Sequence, residues 1–279
     1  MLEFHQTSRC QGLESAPGVW HARPRVKEQG RMGESWDIYL DDPFVEGPDR
    51  AEELFTYDLE FTENPEPRCL CLLLLDTSRS MEGAPIAALN QGLQVLREQL
   101  LQVPLAGKCV EVSIVTFGAG VELVQDFITA ELFRPPELQA QGETPLGAGI
   151  LFGLDHLETR IAWCKFNEVP YSRPWVFLIT DGMPQGEPLG TTRLAIQRIR
   201  NVESARQAAF FAVGIERANM PLLARIAVRP PVKLRELRFA DLFTWLSASI
   251  ASDAVLADDP VALPRIDWGT TFGRMRDEG

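Results

Sequence analysis

The hydrophobic pattern of the chain is dominated by one unbroken apolar run. Residues 69–75, read C-L-C-L-L-L-L, lead straight into Asp76 without an intervening polar position. A run of this length is typical of a strand that is buried on both faces, as in a parallel sheet covered by helices. A second run, Trp175 to Thr180, ends at Asp181-Gly182 and predicts another strand of the same kind.

Apolar residues elsewhere recur at intervals of three and four, which predicts amphipathic helices. These helices cover Ile86 to Leu100, a segment after Pro145, a segment from about Thr192, Met220 to Ile226, and Leu242 to Ile250. The other predicted elements are a hairpin over Val110–Phe127, in which Glu111 and Ser113 alternate with apolar residues, a buried strand from Ala208 to Val213, and a strand from Val232 to Leu237. Strands that alternate with helices imply an α/β fold, a doubly wound and mostly parallel sheet with helices on both faces.

The periodic pattern divides the chain into four parts. Residues 1–33 show no periodicity, so we predict a poorly ordered segment, and Met32 is an alternative functional start. Residues 34–67 are acidic but rich in aromatic side chains, which favours an arm that packs on the main domain over a solvated linker. The main domain is predicted at 68–252, and a C-terminal tail at 253–279.

Charge and cysteine content narrow the class of protein. The formal net charge is −12, and 12 acidic residues against one basic residue lie between Glu34 and Pro67. Nucleic-acid binding depends on Lys and Arg, so we expect no nucleic-acid partner. The five cysteines form no C-x-x-C pair, and no apolar stretch is long enough to span a membrane. We therefore expect a reduced, soluble, cytoplasmic protein.

Oxygen-bearing side chains cluster where the predicted strands end. Asp76, Ser78 and Ser80 follow the first strand, Asp181 follows the Trp175 strand, and Thr144 precedes a helix. The carboxyl ends of strands in α/β sheets line ligand crevices, and hard cations such as Mg²⁺ prefer oxygen ligands. These residues predict a Mg²⁺ site, with Mn²⁺ or Ca²⁺ as alternatives, that leaves one position open to an external carboxylate. Taken singly, Thr144 also suits a helix N-cap and Asp181-Gly182 an ordinary turn.

The motifs resemble the metal-ion-dependent adhesion site of von Willebrand factor type A (vWA) domains. They are D-T-S-R-S at 76–80, T-P at 144–145 and T-D-G at 180–182, within a resemblance that covers roughly residues 68–250. Within that superfamily the chain is similar to the bacterial cytoplasmic branch that includes TerY-like proteins. The supporting stretches are N-P-E-P-R at 64–68, G-E-T-P-L-G at 142–147 and F-T-W-L-S-A-S at 243–249.

The resemblance implies a mostly parallel sheet with one antiparallel edge strand, which the Val110–Phe127 hairpin would provide. It also implies that the metal ligands are Asp76, Ser78, Ser80, Thr144 and Asp181, and that a partner protein contributes an acidic side chain. Many relatives have Gly between the two serines, whereas this chain has Arg79. The arginine would tune metal affinity, contact an acidic partner, or simply extend into solvent.

Three functions compete at this stage. The leading hypothesis is a non-enzymatic, metal-dependent adaptor in a bacterial stress-response, signalling or defence system, whose partner is a kinase, phosphatase or ATPase. A metal-dependent phosphoesterase-type hydrolase is the first alternative. However, Ser78 stands where a dehalogenase-like enzyme needs a second Asp, and neither G-x-S-x-G nor a phosphate-binding loop is present. The second alternative is a structural subunit with a vestigial metal site.

Overall fold

The chain divides into two units, Met1–Tyr57 and Asp58–Gly279, and every described residue belongs to the second. The computed structural model describes residues 64, 66–215, 218–234, 236–255 and 272–273. Three predictions lie wholly or mostly outside the described residues. They concern residues 1–33, the acidic arm at 34–67 except for its last residues, and most of the tail at 253–279.

Strands and helices alternate along the described part of the chain, as the hydrophobic pattern predicts. The strands are β1 (Cys69–Asp76), β2 (Val110–Phe117), β3 (Val121–Thr129), β4 (Trp175–Thr180), β5 (Ala209–Ile215), β6 (Val232–Leu234) and β7 (Phe272–Gly273). The helices are α1 (Ala84–Leu101), α2 (Pro104–Cys109), α3 (Leu146–Phe166), α4 (Thr191–Ser204), α5 (Met220–Ile226) and α6 (Phe239–Val255). A short 3₁₀ turn at Arg79–Met81 follows β1.

The strands form one sheet in the order β3-β2-β1-β4-β5-β6-β7. The pairs from β2 through β6 are parallel, whereas β3 runs antiparallel to β2 and forms one edge. The predicted α/β fold class, a doubly wound and mostly parallel sheet with an antiparallel edge strand, is therefore confirmed. The two-residue strand β7 adds a second antiparallel pair, on β6, that the sequence does not predict.

The central strand β1 is buried along its whole length because helices cover both faces of the sheet. Leu70, Leu72 and Leu74 belong to the core that includes the apolar residues of α3, α4 and α5. On the other face α6 contacts β1 and β2 and packs closely on α1. A Cβ atom added at Gly92 of α1 would lie only 2.7 Å from the Cβ atom of Phe239 in α6, so this helix contact requires glycine.

Two elements differ from the prediction, and a third, β2, buries polar residues. β2 is buried at all eight positions, including Glu111 and Ser113, which alternate with its apolar residues. Glu111 is accommodated inside because Arg68 and Arg160 pair with it. The helix α2 was not predicted, and β6 ends at Leu234 because Glu236 and Leu237 adopt positive φ angles, outside the strand region.

Candidate metal centre

The site is built on two neighbouring parallel strands. Leu75 of β1 is opposite Ile179 of β4, so Asp76 and Thr180 end their strands at the same edge of the sheet. The Thr180 hydroxyl donates a short hydrogen bond of 2.5 Å to Asp76 Oδ2 and accepts one of 3.1 Å from the backbone N–H of Gly182. Thr180 therefore fixes the Asp76 carboxylate against the loop that follows β4.

A chain of hydrogen bonds joins four of the five predicted ligands. The backbone N–H of Ser78 donates to Asp76 Oδ1 at 2.9 Å, and the hydroxyl oxygens of Ser78 and Ser80 lie 2.9 Å apart. The Ser80 hydroxyl in turn donates to Asp181 Oδ1 at 2.7 Å. Ser80 and Asp181 are thus in direct contact, although they lie 101 positions apart in the sequence.

The fifth predicted ligand, Thr144, lies beside Gly182, near the Asp76 carboxylate. A Cβ atom added at Gly182 would lie 3.2 Å from Thr144 Oγ1 and 3.6 Å from Asp76 Oδ2. Thr144 is only 4% exposed, and its hydroxyl forms no hydrogen bond within the described part of the chain. The fold therefore brings all five predicted residues to one place, and the Thr144 hydroxyl oxygen is available to an additional ligand.

Backbone hydrogen bonds hold the loop after β1 against two other segments. The N–H of Thr77 donates to Phe117 O at 2.9 Å, Gln141 N donates to Thr77 O at 2.7 Å, and Arg79 N donates to Gly142 O at 3.1 Å. Gly142 has a φ of +77°, and a Cβ atom there would lie 2.4 Å from Ala119 Cα. Only glycine fits at this point, so the loop's position depends on a close approach of three segments.

Two supporting residues were not among the predicted ligands. Thr180 belongs to the T-D-G motif, so its place in that motif was a signal for its role. Glu187 gave no such signal: its Oε2 accepts from Ala148 N at 3.0 Å, and its Oε1 accepts from the Thr192 hydroxyl at 2.5 Å. Its carboxylate joins the first turns of α3 and α4, where the helix dipole favours negative charge.

The electrostatics of the site favour a cation. Asp76 is 0% exposed, and burial raises the pKa of its carboxyl, opposed by hydrogen bonds from Ser78 and Thr180 and reinforced by the charge of Asp181. No basic side chain in the described part of the chain forms an ion pair with Asp76. A buried carboxylate without a counter-charge is costly, and a divalent cation would supply that charge.

The donor set fits a hard cation. Two carboxylates and three hydroxyls supply only oxygen, which is the preference of Mg²⁺, and the two negative charges match its double positive charge. The described residues contain no cluster of three or more His, Cys, Asp or Glu side chains suited to a metal ion. That finding is compatible with this site because three of its five candidate ligands are hydroxyls. The side chain of Arg79, between the two serines, is exposed.

Comparisons with known proteins bear on the fold. No family model matches the sequence, and no curated protein matches it. The PilB minor pilin from Streptococcus sanguinis aligns with a TM-score of 0.53 and 14% identity, over 70% of this chain and 64% of that chain. The pilus adhesin SpaC from Lactobacillus rhamnosus GG aligns with a TM-score of 0.51 and 16% identity, over 68% of this chain and 30% of that one.

A further neighbour is the vWF domain of the type V pili tip protein Mfa5 from Porphyromonas gingivalis. Its TM-score is 0.47 and its identity 10%, over 70% of this chain and 98% of that domain. At such identities the likeness to PilB and SpaC shows the fold alone, and this chain spans less than two thirds of either protein. Together with the strand order, it supports a doubly wound, mostly parallel α/β fold. The assignment to vWA domains, and within them to the TerY-like branch, stays a prediction.

Proposed function

We propose that the chain is a divalent-metal-dependent protein-interaction module. Asp76, Ser78, Ser80, Thr144 and Asp181 would hold Mg²⁺, directly or through water, and an acidic side chain of the partner would take the open position. The observation that carries the proposal is the convergence of these five oxygen-bearing residues, from three segments, around a buried carboxylate that has no basic partner among the described residues.

The residues of the site have separate tasks in this proposal. Asp76 and Asp181 would balance the charge of a bound divalent ion, and the three hydroxyls would supply neutral ligands. The open coordination position of the ion would then accept an external carboxylate. Thr180 orients Asp76 through its short hydrogen bond, and Glu187 ties the loop after β4 to the starts of two helices. Mg²⁺, when bound, would supply a charge and an open coordination position, and no chemical step is required.

The proposed module is not an enzyme. The described residues include one Ser, His and Asp group, Ser113, His156 and Asp126, and it lies at the β2–β3 edge. Ser113 Oγ and Asp126 Oδ1 both contact Nε2 of His156, each at 3.2 Å. A catalytic triad uses both ring nitrogens, one for the serine and one for the carboxylate, so this group lacks the relay that activates a nucleophile.

We propose an adaptor in a bacterial stress-response, signalling or defence system, with a kinase, phosphatase or ATPase as its partner and the cytoplasm as its location. In the described part of the chain, no helix combines the length and the apolar character needed to cross a membrane. The likeness to PilB and SpaC is compatible with an interaction module.

Metal binding tests the proposal directly. We expect Mg²⁺ to raise the stability of the wild-type protein, by about 2.7 kcal/mol at a hundredfold excess over the dissociation constant. Asp76→Ala and Asp181→Ala should abolish this gain because each removes one of the two charged ligands. Isothermal calorimetry and thermal unfolding, each with Mg²⁺ and with EDTA, measure the effect. Asp155→Ala is the matched control, because Asp155 is an exposed aspartate on α3.

Affinity capture from native lysate, with Mg²⁺ and with EDTA in parallel, then tests the partner. A partner retained only with Mg²⁺, and lost with Asp181→Ala, is the expected result. If both aspartate variants retained Mg²⁺ binding at wild-type strength, the site assignment would be wrong. A partner set unchanged by EDTA would favour a structural role in which the metal site is idle.

A further inference from the structure

A groove adjoins the candidate metal centre, between α1 and the connection from β3 to α3. Its volume is about 610 Å³. One wall starts at Glu82, two positions after Ser80, and continues along α1, and the other wall consists of residues 136–140, just before Gly142. Because Gly142 O accepts from Arg79 N, both walls begin at the loop that carries the candidate ligands. The groove therefore leads away from the metal centre.

The second wall is held in place by side chains of α1. The amide group of Asn90 donates to Leu138 O at 2.9 Å and accepts from Leu138 N at 2.9 Å, so one side chain satisfies both backbone groups. Arg97 Nε donates to Phe133 O at 2.8 Å and anchors the start of the same connection. These bonds are made within the chain itself, so the wall is already ordered by α1, and a ligand would bind without the cost of ordering it.

The lining suits an extended peptide. Gln91 and Gln94 project exposed carboxamides from α1, and Gln139 lies on the opposite wall. A carboxamide offers both donors and an acceptor, which the unpaired N–H and C=O groups of an extended chain require. From Ile86 to Gln94 the helix rises roughly 12 Å at 1.5 Å per residue, which is about the length of four residues of extended peptide.

The charge of the groove limits what that peptide can be. Its lining residues include Glu82 and Glu137, both exposed, and no Lys, Arg or His is present among the described residues that line it. An acidic segment would place like charges side by side, whereas Lys or Arg would meet a complementary field. The metal centre and the groove thus favour opposite charges in adjacent parts of one ligand.

We infer that the groove binds an extended segment of the partner protein that adjoins the acidic residue at the metal. This inference rests on the proposed function. The segment is about four residues long, carries Lys or Arg or is uncharged, and contains no further acidic residue. The recognised motif is therefore one acidic residue with a basic or neutral stretch on one side.

A displayed peptide library tests this inference. The probe is a set of peptides with a fixed Asp and several random residues on each side, selected against the full chain in Mg²⁺. We expect Lys and Arg to be enriched, and Asp and Glu depleted, on one flank only. Glu137→Gln should weaken that bias, and Gln94→Arg should lower affinity for a selected basic peptide by about tenfold, since it adds a like charge. Gln102→Arg adds the same charge at an exposed position outside the groove, and it should change little.

The outcomes separate the groove from the metal centre. Selected peptides without a flank bias, or equal recovery by wild type and Gln94→Arg, would overturn the groove assignment, and calorimetric Mg²⁺ binding would leave the proposed function standing. If the wild-type protein binds no Mg²⁺, the proposed function fails. The groove is then tested with a fully random library selected in EDTA. Enrichment of Lys and Arg by the wild type, and its loss with Gln94→Arg, would support the groove assignment. Any other result would overturn it.

Discussion

Two buried carboxylates at opposite ends of the sheet are stabilised in different ways. Glu111, near the start of β2, accepts hydrogen bonds of 2.9 Å from both Nε and an Nη of Arg160, and Arg68 Nε lies 3.3 Å from it. Among the described residues, Asp76, the last residue of β1, accepts hydrogen bonds only from the neutral groups of Ser78 and Thr180. Both acidic residues are 0% exposed.

A third buried carboxylate shows which arrangement is the ordinary one in this protein. Glu203, at the end of α4, lies 2.7 Å from an Nη of Arg173 and 3.1 Å from Arg229 Nε. Buried carboxylates elsewhere in the described fold thus have guanidinium partners built into the chain. A guanidinium beside Asp76 would take the place that a metal ion needs. The contrast therefore marks Asp76 as a buried carboxylate without a guanidinium partner among the described residues, as the proposed metal site requires.

The largest expected effect is at the internally paired carboxylate. Glu111→Gln removes the charge that compensates Arg68, which is fully buried, so we expect a loss of about 3–5 kcal/mol in the free energy of unfolding. Urea unfolding followed by circular dichroism measures it. The matched control is Glu122→Gln on the exposed edge of β3, which should change stability by less than about 0.5 kcal/mol. A loss at Glu111 no larger than the control would break the comparison.

The opposite sign is expected at the carboxylate without a basic partner. In EDTA, Asp76→Asn removes a buried charge but keeps an oxygen that can accept the Ser78 N–H, so stability should rise by between zero and roughly 2 kcal/mol. Urea unfolding of both proteins without metal provides the measurement. A destabilisation as large as that expected for Glu111→Gln would show that the Asp76 charge is already compensated within the chain.

The pH dependence sharpens the same difference. Burial raises the pKa of the Asp76 carboxyl above its ordinary value of 3.8. The folded state therefore holds this proton more tightly than the unfolded state does. The buried Asp76 charge therefore begins to lower the free energy of unfolding as the pH rises above 3.8. The loss is complete once the pH exceeds the raised pKa of the folded state. The stability advantage of Asp76→Asn should grow over this window, and Mg²⁺ affinity of the wild type should fall as pH drops through it. An advantage that does not change with pH would contradict this.

The smallest effect is expected for an ion pair at the surface. Arg198 contacts Asp155 at 3.1 Å and Glu158 at 2.5 Å, but the three side chains are 35%, 71% and 49% exposed. Solvent screens such a pair, so Arg198→Gln should cost less than about 0.5 kcal/mol by urea unfolding. If Arg198→Gln lowered the free energy of unfolding as much as Glu111→Gln, the presence of an ion pair, and not its burial, would explain the difference between Glu111 and Asp76.

Most of the architecture could be predicted from the hydrophobic pattern. The run before Asp76 is typical of a strand with both faces covered, as β1 is, and the intervals of three and four along Ile86 to Leu100 match the buried face of α1. Short or irregular elements were not predictable. The six residues of α2 are too few to show a helical period, and the two residues of β7 gain their strand geometry only by pairing with β6.

Burial of the polar residues of β2 could not be predicted from the local pattern, because its cause is long-range. Alternation of Glu111 and Ser113 with apolar neighbours is the pattern of a half-exposed strand. The fold buries Glu111 because Arg160, 49 positions later, reaches it from α3. The Ser113 hydroxyl donates to Gln125 O on β3 at 2.8 Å. Neither partner can be identified from the local pattern of β2.

The sequence by itself determined the order of elements, the α/β fold class and the residue types able to hold a hard cation, because hydrophobic periodicity and side-chain chemistry are local properties. The tertiary structure alone decided that Ser80 reaches Asp181, that Thr180 fixes Asp76, and that no guanidinium accompanies that carboxylate in the described part of the chain. Those features depend on which strands are neighbours and how their ends are aligned. Strand adjacency is set by packing of the whole domain, and no local pattern encodes it.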